Sequence, residues 1–250
     1  MPDRVVIIGG GYIACELAGI FNGLGTQTLQ LYRSNMILRG FDRDLQIIAS
    51  EEVRKSGIEI WLNESVERLQ ENKSGLNVIT QSGKNIKADT VLFATGRLPN
   101  TSDIGLSSIG VSSAPNGAIL VDSMSKSNIK NVYAVGDCTD RVNLTPVAIH
   151  EGRCLAETLY NNNTKMPDHS NIATAVFTQP EIGTVGLTEA EAKLSFDKVL
   201  IFKTRFRPLK HTLSKRDTTI FMKLVVDGIS DREIGRKQQP FIIAEMLGIT

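Results

Sequence analysis

Arg4-Val5-Val6-Ile7-Ile8-Gly9-Gly10-Gly11-Tyr12-Ile13-Ala14-Cys15-Glu16-Leu17 is the stretch whose reading decides the fold. Its first five residues are apolar and mostly β-branched, and glycines close them. Such a run without alternation fits a strand covered on both faces. After the glycines, Ile13, Leu17, Ile20, Phe21 and Leu24 recur at helical spacing, and Gly25 offers a stop. Thr28–Tyr32 then reads as a second strand. The sum is a βαβ unit with a right-handed crossover.

The spacing within the turn carries chemistry. In Gly9-x-Gly11-x-x-Ala14, the first glycine permits a tight turn and the second lets backbone approach a pyrophosphate. The small Ala14 lets helix and strand pack closely. The helix N-terminus offers free N–H groups to phosphate oxygens. The second strand ends in Tyr32-Arg33, and Arg39 follows. An acidic residue there holds the ribose 2′-hydroxyl of NAD, whereas arginine accommodates the 2′-phosphate of NADP. Arg33 and Arg39 therefore predict NADPH, the alternative being two solvated surface arginines.

Farther along, Asp42–Lys55 reads as a helix and Ile58–Leu62 as a strand. Ser65–Leu69 and Leu76–Thr80 suggest a small antiparallel meander with a turn at Ser82-Gly83. Thr90–Ala94 reads as a buried strand ending at Thr95-Gly96-Arg97, with a candidate boundary at Pro99-Asn100. Asn131–Val135 is predicted as a short buried strand closed by Gly136-Asp137. Pro146–Tyr160 follows as a helix with proline near its start. From about Asn171 the pattern changes to strands at Ala173–Phe177, Glu181–Val185, Val199–Phe206 and Phe221–Val226, with a helix at Thr188–Leu194. That is an α+β rhythm.

The 250 residues carry 28 Lys+Arg against 27 Asp+Glu, a net charge of +1. The balance argues against a nucleic-acid or membrane-surface binder, both of which need basic excess. No apolar run approaches the ~20 residues of a membrane span. The N-terminus lacks a secretory pattern, so a cytoplasmic location is expected, and the Asn-x-Ser/Thr matches at Asn63, Asn72, Asn100 and Asn162 are read as chance. Cys15, Cys138 and Cys154 form no CxxC or CxxxxC pair. They read as packing thiols. His150, His169 and His211 are too dispersed for a metal site or a catalytic triad, so no metal is expected.

An ordered set of motifs resembles the FAD-dependent pyridine nucleotide–disulfide oxidoreductase family, and within it the glutathione reductases. The stretches are GGGYIACELAGIFNGLG (Gly9–Gly25), YRSNMILRGFD (Tyr32–Asp42), ATGRLPNT (Ala94–Thr101), NVYAVGDCTDRVNLTPVAIHEGR (Asn131–Arg153), AVFTQPEIGTVGLTEAEA (Ala175–Ala192), FRPLKHTLS (Phe206–Ser214) and FMKLVVD (Phe221–Asp227). The resemblance implies an α/β chain in three parts: a Rossmann-like NADPH domain over 1–99, an FAD-contacting segment over 100–170, and a truncated α+β interface domain over 171–250.

It also implies roles. Gly9, Gly11 and Ala14 would cradle the NADPH pyrophosphate, and Arg33 and Arg39 would hold the 2′-phosphate. Gly96 and Arg97 would border the cofactor, Arg97 being equally readable as an ion-pair partner. Tyr12 would cover the flavin and swing aside for nicotinamide, the alternative being an ordinary half-buried tyrosine. Glu16, one turn on, would pair with a lysine beside the flavin, or else serve as a first-turn glutamate favoured by the helix dipole. Asp137, after Gly136, would accept hydrogen bonds from the flavin ribityl chain, or else be a turn residue or cap. Thr145 would begin a helix aimed at the flavin pyrimidine.

The implied reaction runs from NADPH through FAD and a CxxxxC disulfide to glutathione disulfide, in a homodimer. The CxxxxC segment and the flavin's own glycine fingerprint are expected before Met1, and a His-Pro motif beyond Thr250. The isolated chain is accordingly expected to be inactive. Ile229–Pro240 departs from the family pattern, and Ala244-Glu245-Met246 matches it weakly. The alternatives are a relative acting on another disulfide, and a non-catalytic nucleotide-binding remnant.

Overall fold

The computed structural model describes residues 1–73, 75–214 and 217–235. It divides into two compact units. The first comprises Met1–Gly96 with the described residues from Ala173 onward, and the second Arg97–Ile172.

The first unit opens with β1 (Arg4–Ile8), α1 (Tyr12–Gly23), β2 (Gln27–Tyr32), α2 (Arg43–Lys55) and β3 (Glu59–Leu62). A meander of β4 (Val66–Asn72), β5 (Gly75–Thr80) and β6 (Asn85–Ala88) follows, then β7 (Thr90–Phe93). The parallel sheet has the order β3-β2-β1-β7. Val5 stands opposite both Thr28 and Thr90, so β1 is central. One face packs Val5 and Ile7 against Ala14, Ala18, Leu45 and Ala49 of the helices. The other packs Val6, Ile8, Leu29 and Leu31 against Val78 and Ala88 of the meander. Two covered faces explain the unbroken apolar run of β1.

In the second unit the chain is mostly loops. Its single α-helix among the described residues is α3 (Thr145–Tyr160), with proline in the first turn. The strand expected over Asn131–Val135 is not formed. It contributes one isolated bridge, Tyr133 to Lys126. Ser125 and Asn131 both have positive φ, and these turns on either side stop the ladder from extending. A small apolar cluster of Val111, Ile119 and Ala134 organises this region.

The remainder of the first unit holds β8 (Thr174–Val176), β9 (Ile182–Thr184), α4 (Glu189–Ser195), β10 (Val199–Phe206), α5 (Lys210–Ser214), β11 (Ile220–Asp227) and β12 (Arg232–Glu233). β10, β11 and β12 form an antiparallel sheet, and β8 pairs with β9. Thr188 and Glu191 close α4 with a reciprocal capping box. Val176, Ile182 and Phe221 enter the same apolar cluster as Ile7 and Leu45. The chain is thus α/β with an α+β final segment. The divergent stretch after Gly235, including Ala244–Met246, lies outside the described residues.

Candidate functional site

The glycine turn is shaped by contacts that exclude side chains on one side and leave the other open. Gly9 has φ +145°, and a Cβ there would fall 2.3 Å from the carbonyl oxygen of Ala94. A Cβ on Gly10 would fall 2.4 Å from the Tyr32 ring. A Cβ on Gly11 would meet nothing within 4 Å. Gly9 and Gly10 therefore serve packing, while Gly11 borders open space. Ala14 is fully buried under the turn. Gly11 caps α1 without a side-chain partner, and its carbonyl accepts from Cys15 N–H at 3.1 Å. The N–H groups of the first turn have no intrahelical acceptors, so the residues fit an anionic diphosphate at this helix end.

The loop after β2 is fastened to that turn. Leu38 N–H donates to Gly10 O at 2.6 Å, and the buried Gln46 amide donates to Leu38 O at 2.7 Å. Leu38 has φ +57°, and with Ile37 it is buried in the core. Two buried residues thus anchor a loop whose charged members, Arg33 and Arg39, are exposed. Neither arginine has an ion-pair or hydrogen-bond partner among the described residues. Two uncommitted guanidiniums on a loop tied to the glycine turn suit a ribose 2′-phosphate. The glycine pattern and the arginines were visible in sequence; Leu38, Gln46 and the ring of Tyr32 were not singled out.

Tyr12 begins α1, half-buried against the main apolar cluster. Glu16 lies beyond the first turn, which holds no acidic residue. The helix-dipole explanation for it is therefore set aside. Its Oε1 accepts from the backbone N–H of Phe177 at 2.9 Å. Gly96 is exposed three residues past the end of β7, with φ +133°. Ala94 N–H, two residues earlier, donates to Ile8 O at 2.8 Å.

Arg97, Asp137 and Thr145 fall in the second unit. Arg97 lies 3.5 Å from Asp137 Oδ2 and donates to Asn143 O at 3.2 Å. Asn143 stands two residues before Thr145, the exposed first residue of α3. Asp137 is half-exposed, so its carboxylate is accessible. The backbone here is held by Glu151, which is 1% exposed. Its Oε2 accepts from Gly136 N–H at 2.6 Å. Its Oε1 lies 2.9 Å from Arg141 and 2.6 Å from His169 Nε2. Gly136 has φ +71°, and a Cβ on it would meet Ala148 Cβ at 2.9 Å. Glu151 is a buried anchor of this backbone that no local sequence pattern names. Its signal was a glutamate on the buried stripe Val147, Glu151, Cys154 of α3.

All three cysteines are free thiols. Burial pushes the Cys15 thiol up to about 11, against the smaller opposing effect of the Gln30 amide. It is a poor nucleophile. Among the described residues no group of three or more His, Cys, Asp and Glu is arranged to hold a metal ion, and no helix is long and apolar enough to cross a membrane.

Comparison with known proteins gives a consistent pattern. A family model described as pyridine nucleotide-disulphide oxidoreductase matches residues 1–152, and the model for the same family's dimerisation domain matches residues 172–237. The chain is 46% identical to a glutathione reductase of Burkholderia cepacia, covering 94% of this chain and 52% of the relative. It is 43% identical to the chloroplastic/mitochondrial glutathione reductase of Pisum sativum, covering 94% and 43%. It is 42% identical to a trypanothione reductase of Trypanosoma congolense, covering 90% and 47%. The chain thus spans about half the length of these relatives. Among solved structures, the HOCl-induced flavoprotein disulfide reductase RclA of Escherichia coli superposes with TM-score 0.86 at 26% identity, covering 93% of this chain and 54% of that one.

Proposed function

The chain belongs to the pyridine nucleotide–disulphide oxidoreductase family, and from that premise we propose that it is the NADPH-binding, flavin-contacting and interface part of a homodimeric glutathione-disulfide reductase. The observation that carries the nucleotide choice is the pair of uncommitted guanidiniums, Arg33 and Arg39, on a loop bonded to the glycine turn. The substrate choice is supported by identity to the glutathione reductases. Trypanothione disulfide is the second reading, favoured by the 42% identity to the trypanosomal enzyme.

When bound, NADPH supplies a hydride and FAD accepts it on the way to a disulfide. The chain's own residues do the holding. First-turn N–H groups of α1 receive the pyrophosphate, where the helix end favours negative charge. Arg33 and Arg39 clamp the 2′-phosphate, which NADH lacks. Gly96 leaves backbone room beside the turn. Tyr12 would be the ring that yields to nicotinamide, and Glu16 fixes the helix beneath it through Phe177 N–H. Asp137 would accept from the ribityl hydroxyls, with Arg97 holding its carboxylate in place. Thr145 opens the helix whose N-terminal N–H groups would receive the flavin pyrimidine.

The test is equilibrium binding. The chain should bind NADPH at least ~tenfold more tightly than NADH, since the charge-assisted contacts of both guanidiniums are lost with the phosphate and even one is worth about that much. Arg33→Ala/Arg39→Ala should bring the ratio near one. Equal affinities in the unaltered chain would contradict the NADPH reading. Turnover of glutathione disulfide against trypanothione disulfide by the protein at its full natural length decides the substrate.

A further inference from the structure

Among the largest fully buried side chains of the described residues is a lysine, Lys223 of β11. Its ammonium donates to Asp42 Oδ1 and Oδ2 at 2.7 and 2.8 Å and to Asp44 Oδ2 at 2.6 Å. Glu189 Oε2 stands 2.7 Å away. Lys203 adds an ion pair to Asp44 at 2.6 Å, and Lys193 one to Glu189 at 2.5 Å. The cluster is balanced, three ammonium groups against three carboxylates, with Lys223 and Asp42 buried at its centre.

Asp42 is the hinge of this arrangement. It is 3% exposed and caps α2, with Oδ1 accepting from Asp44 N–H at 3.0 Å. Its Oδ2 accepts from Glu189 N–H at 3.0 Å. It also ends the loop that carries Arg33 and Arg39, three residues after Arg39. The loop is therefore fixed at one point by Leu38 on the glycine turn and at its end by Asp42 on Lys223.

We propose that Lys223 is a positioning residue for nucleotide selectivity: by clamping Asp42 it holds Arg39 where a 2′-phosphate is read. Discrimination made in the N-terminal segment thus depends on a strand 181 residues away. The inference rests on Arg33 and Arg39 being the 2′-phosphate clamp. It goes further in assigning the clamp's geometry to the final segment. Side-chain chemistry gives the reason. A long guanidinium on an unanchored loop must lose more conformational freedom on binding, which weakens the phosphate contact but not contacts made by the glycine turn.

The experiment measures NADPH and NADH dissociation constants for the full 250-residue chain and its variants. Lys223→Met should weaken NADPH about tenfold, comparable to one charge-assisted contact, and leave NADH within about twofold. Lys223→Arg, which keeps a cation among the carboxylates, should recover most of the preference. Lys223→Met leaves Asp42 buried without its cation. Asp42→Asn/Lys223→Met is therefore measured beside it, since asparagine still caps α2 and both buried charges are removed. A folded variant of either kind that keeps the full preference would overturn the proposal. So would an equal loss of both nucleotides, which marks a merely structural role. If the unaltered chain shows no preference, the arginine clamp itself fails, and Arg33→Ala/Arg39→Ala, changing neither affinity, identifies that failure separately.

Discussion

The glycine turn of the first unit and the Gly136–Asp137 turn of the second solve a similar problem in opposite ways. Each presents glycine-containing backbone near a helix N-terminus. The first is shaped by local backbone: Gly9 presses on Ala94, Tyr32 covers Gly10, and Leu38 N–H bonds Gly10 O. The second is held by one buried carboxylate, Glu151, reaching back to Gly136 N–H. A turn built from sterics should fail when an atom is added, and a turn built on a charge should fail when the charge is removed.

The largest effects should come from that contrast. Glu151→Ala leaves the buried Gly136 N–H without its acceptor and takes the carboxylate from Arg141, which keeps only the hydroxyls of Thr139 and Ser125, at a cost of about 2–4 kcal/mol. Hydrogen exchange should show lost protection within 97–172, with 1–96 retaining its own. Gly9→Ala places a methyl 2.3 Å from a carbonyl oxygen and forces φ +145° on an L-residue. It should cost roughly 3 kcal/mol or more in denaturant unfolding, with the loss confined to the first unit. Gly11→Ala meets open space, so stability should stay within about 0.5 kcal/mol while NADPH affinity falls.

A smaller effect sharpens the electrostatic side. Lys193 foremost, then Lys223, holds the Glu189 carboxyl down to about 2. A carboxylate depressed in the fold stabilises it above the ordinary glutamate range and loses that contribution as pH falls. The melting-temperature gap between the chain and Lys223→Met should be full above about pH 4.5 and narrow between there and about pH 2. A gap independent of pH over that window would show that packing, not the ion cluster, sets Lys223's contribution. Smallest of all, Arg33→Ala/Arg39→Ala should leave stability within about 0.5 kcal/mol, because exposed unpaired arginines contribute little to folding.

These cases also explain what the sequence made legible. The βαβ unit was readable because its cues lie within one short stretch: apolar β-branched residues, glycines, then a 3.6-residue repeat. Arg33 and Arg39 stood out because a dinucleotide site reads its 2′-substituent at the end of its second strand. Glu151 and Lys223 were missed for a shared reason. Each is a charged residue at an apolar position, Glu151 on the Val147–Cys154 stripe and Lys223 between Phe221 and Val225 on the inner face of β11. Their partners lie in distant segments that no local pattern names. The anomaly itself, a charge where periodicity demands a hydrophobe, was the available signal. The strand expected over Asn131–Val135 failed the opposite way. Its residues have strand propensity, but positive φ at Ser125 and Asn131 leaves only one bridge.

The central claim is that one loop and one turn of the first unit together read NADPH. Titrating isotope-labelled chain with NADPH and following its amide NMR signals tests this most directly. The account predicts that signals of Gly9–Ala14 shift with either nucleotide, while those of Arg33 and Leu38–Gly40 shift with NADPH and far less with NADH. Equal shifts of the Arg33–Gly40 loop with both nucleotides, or none at the glycine turn, would contradict it.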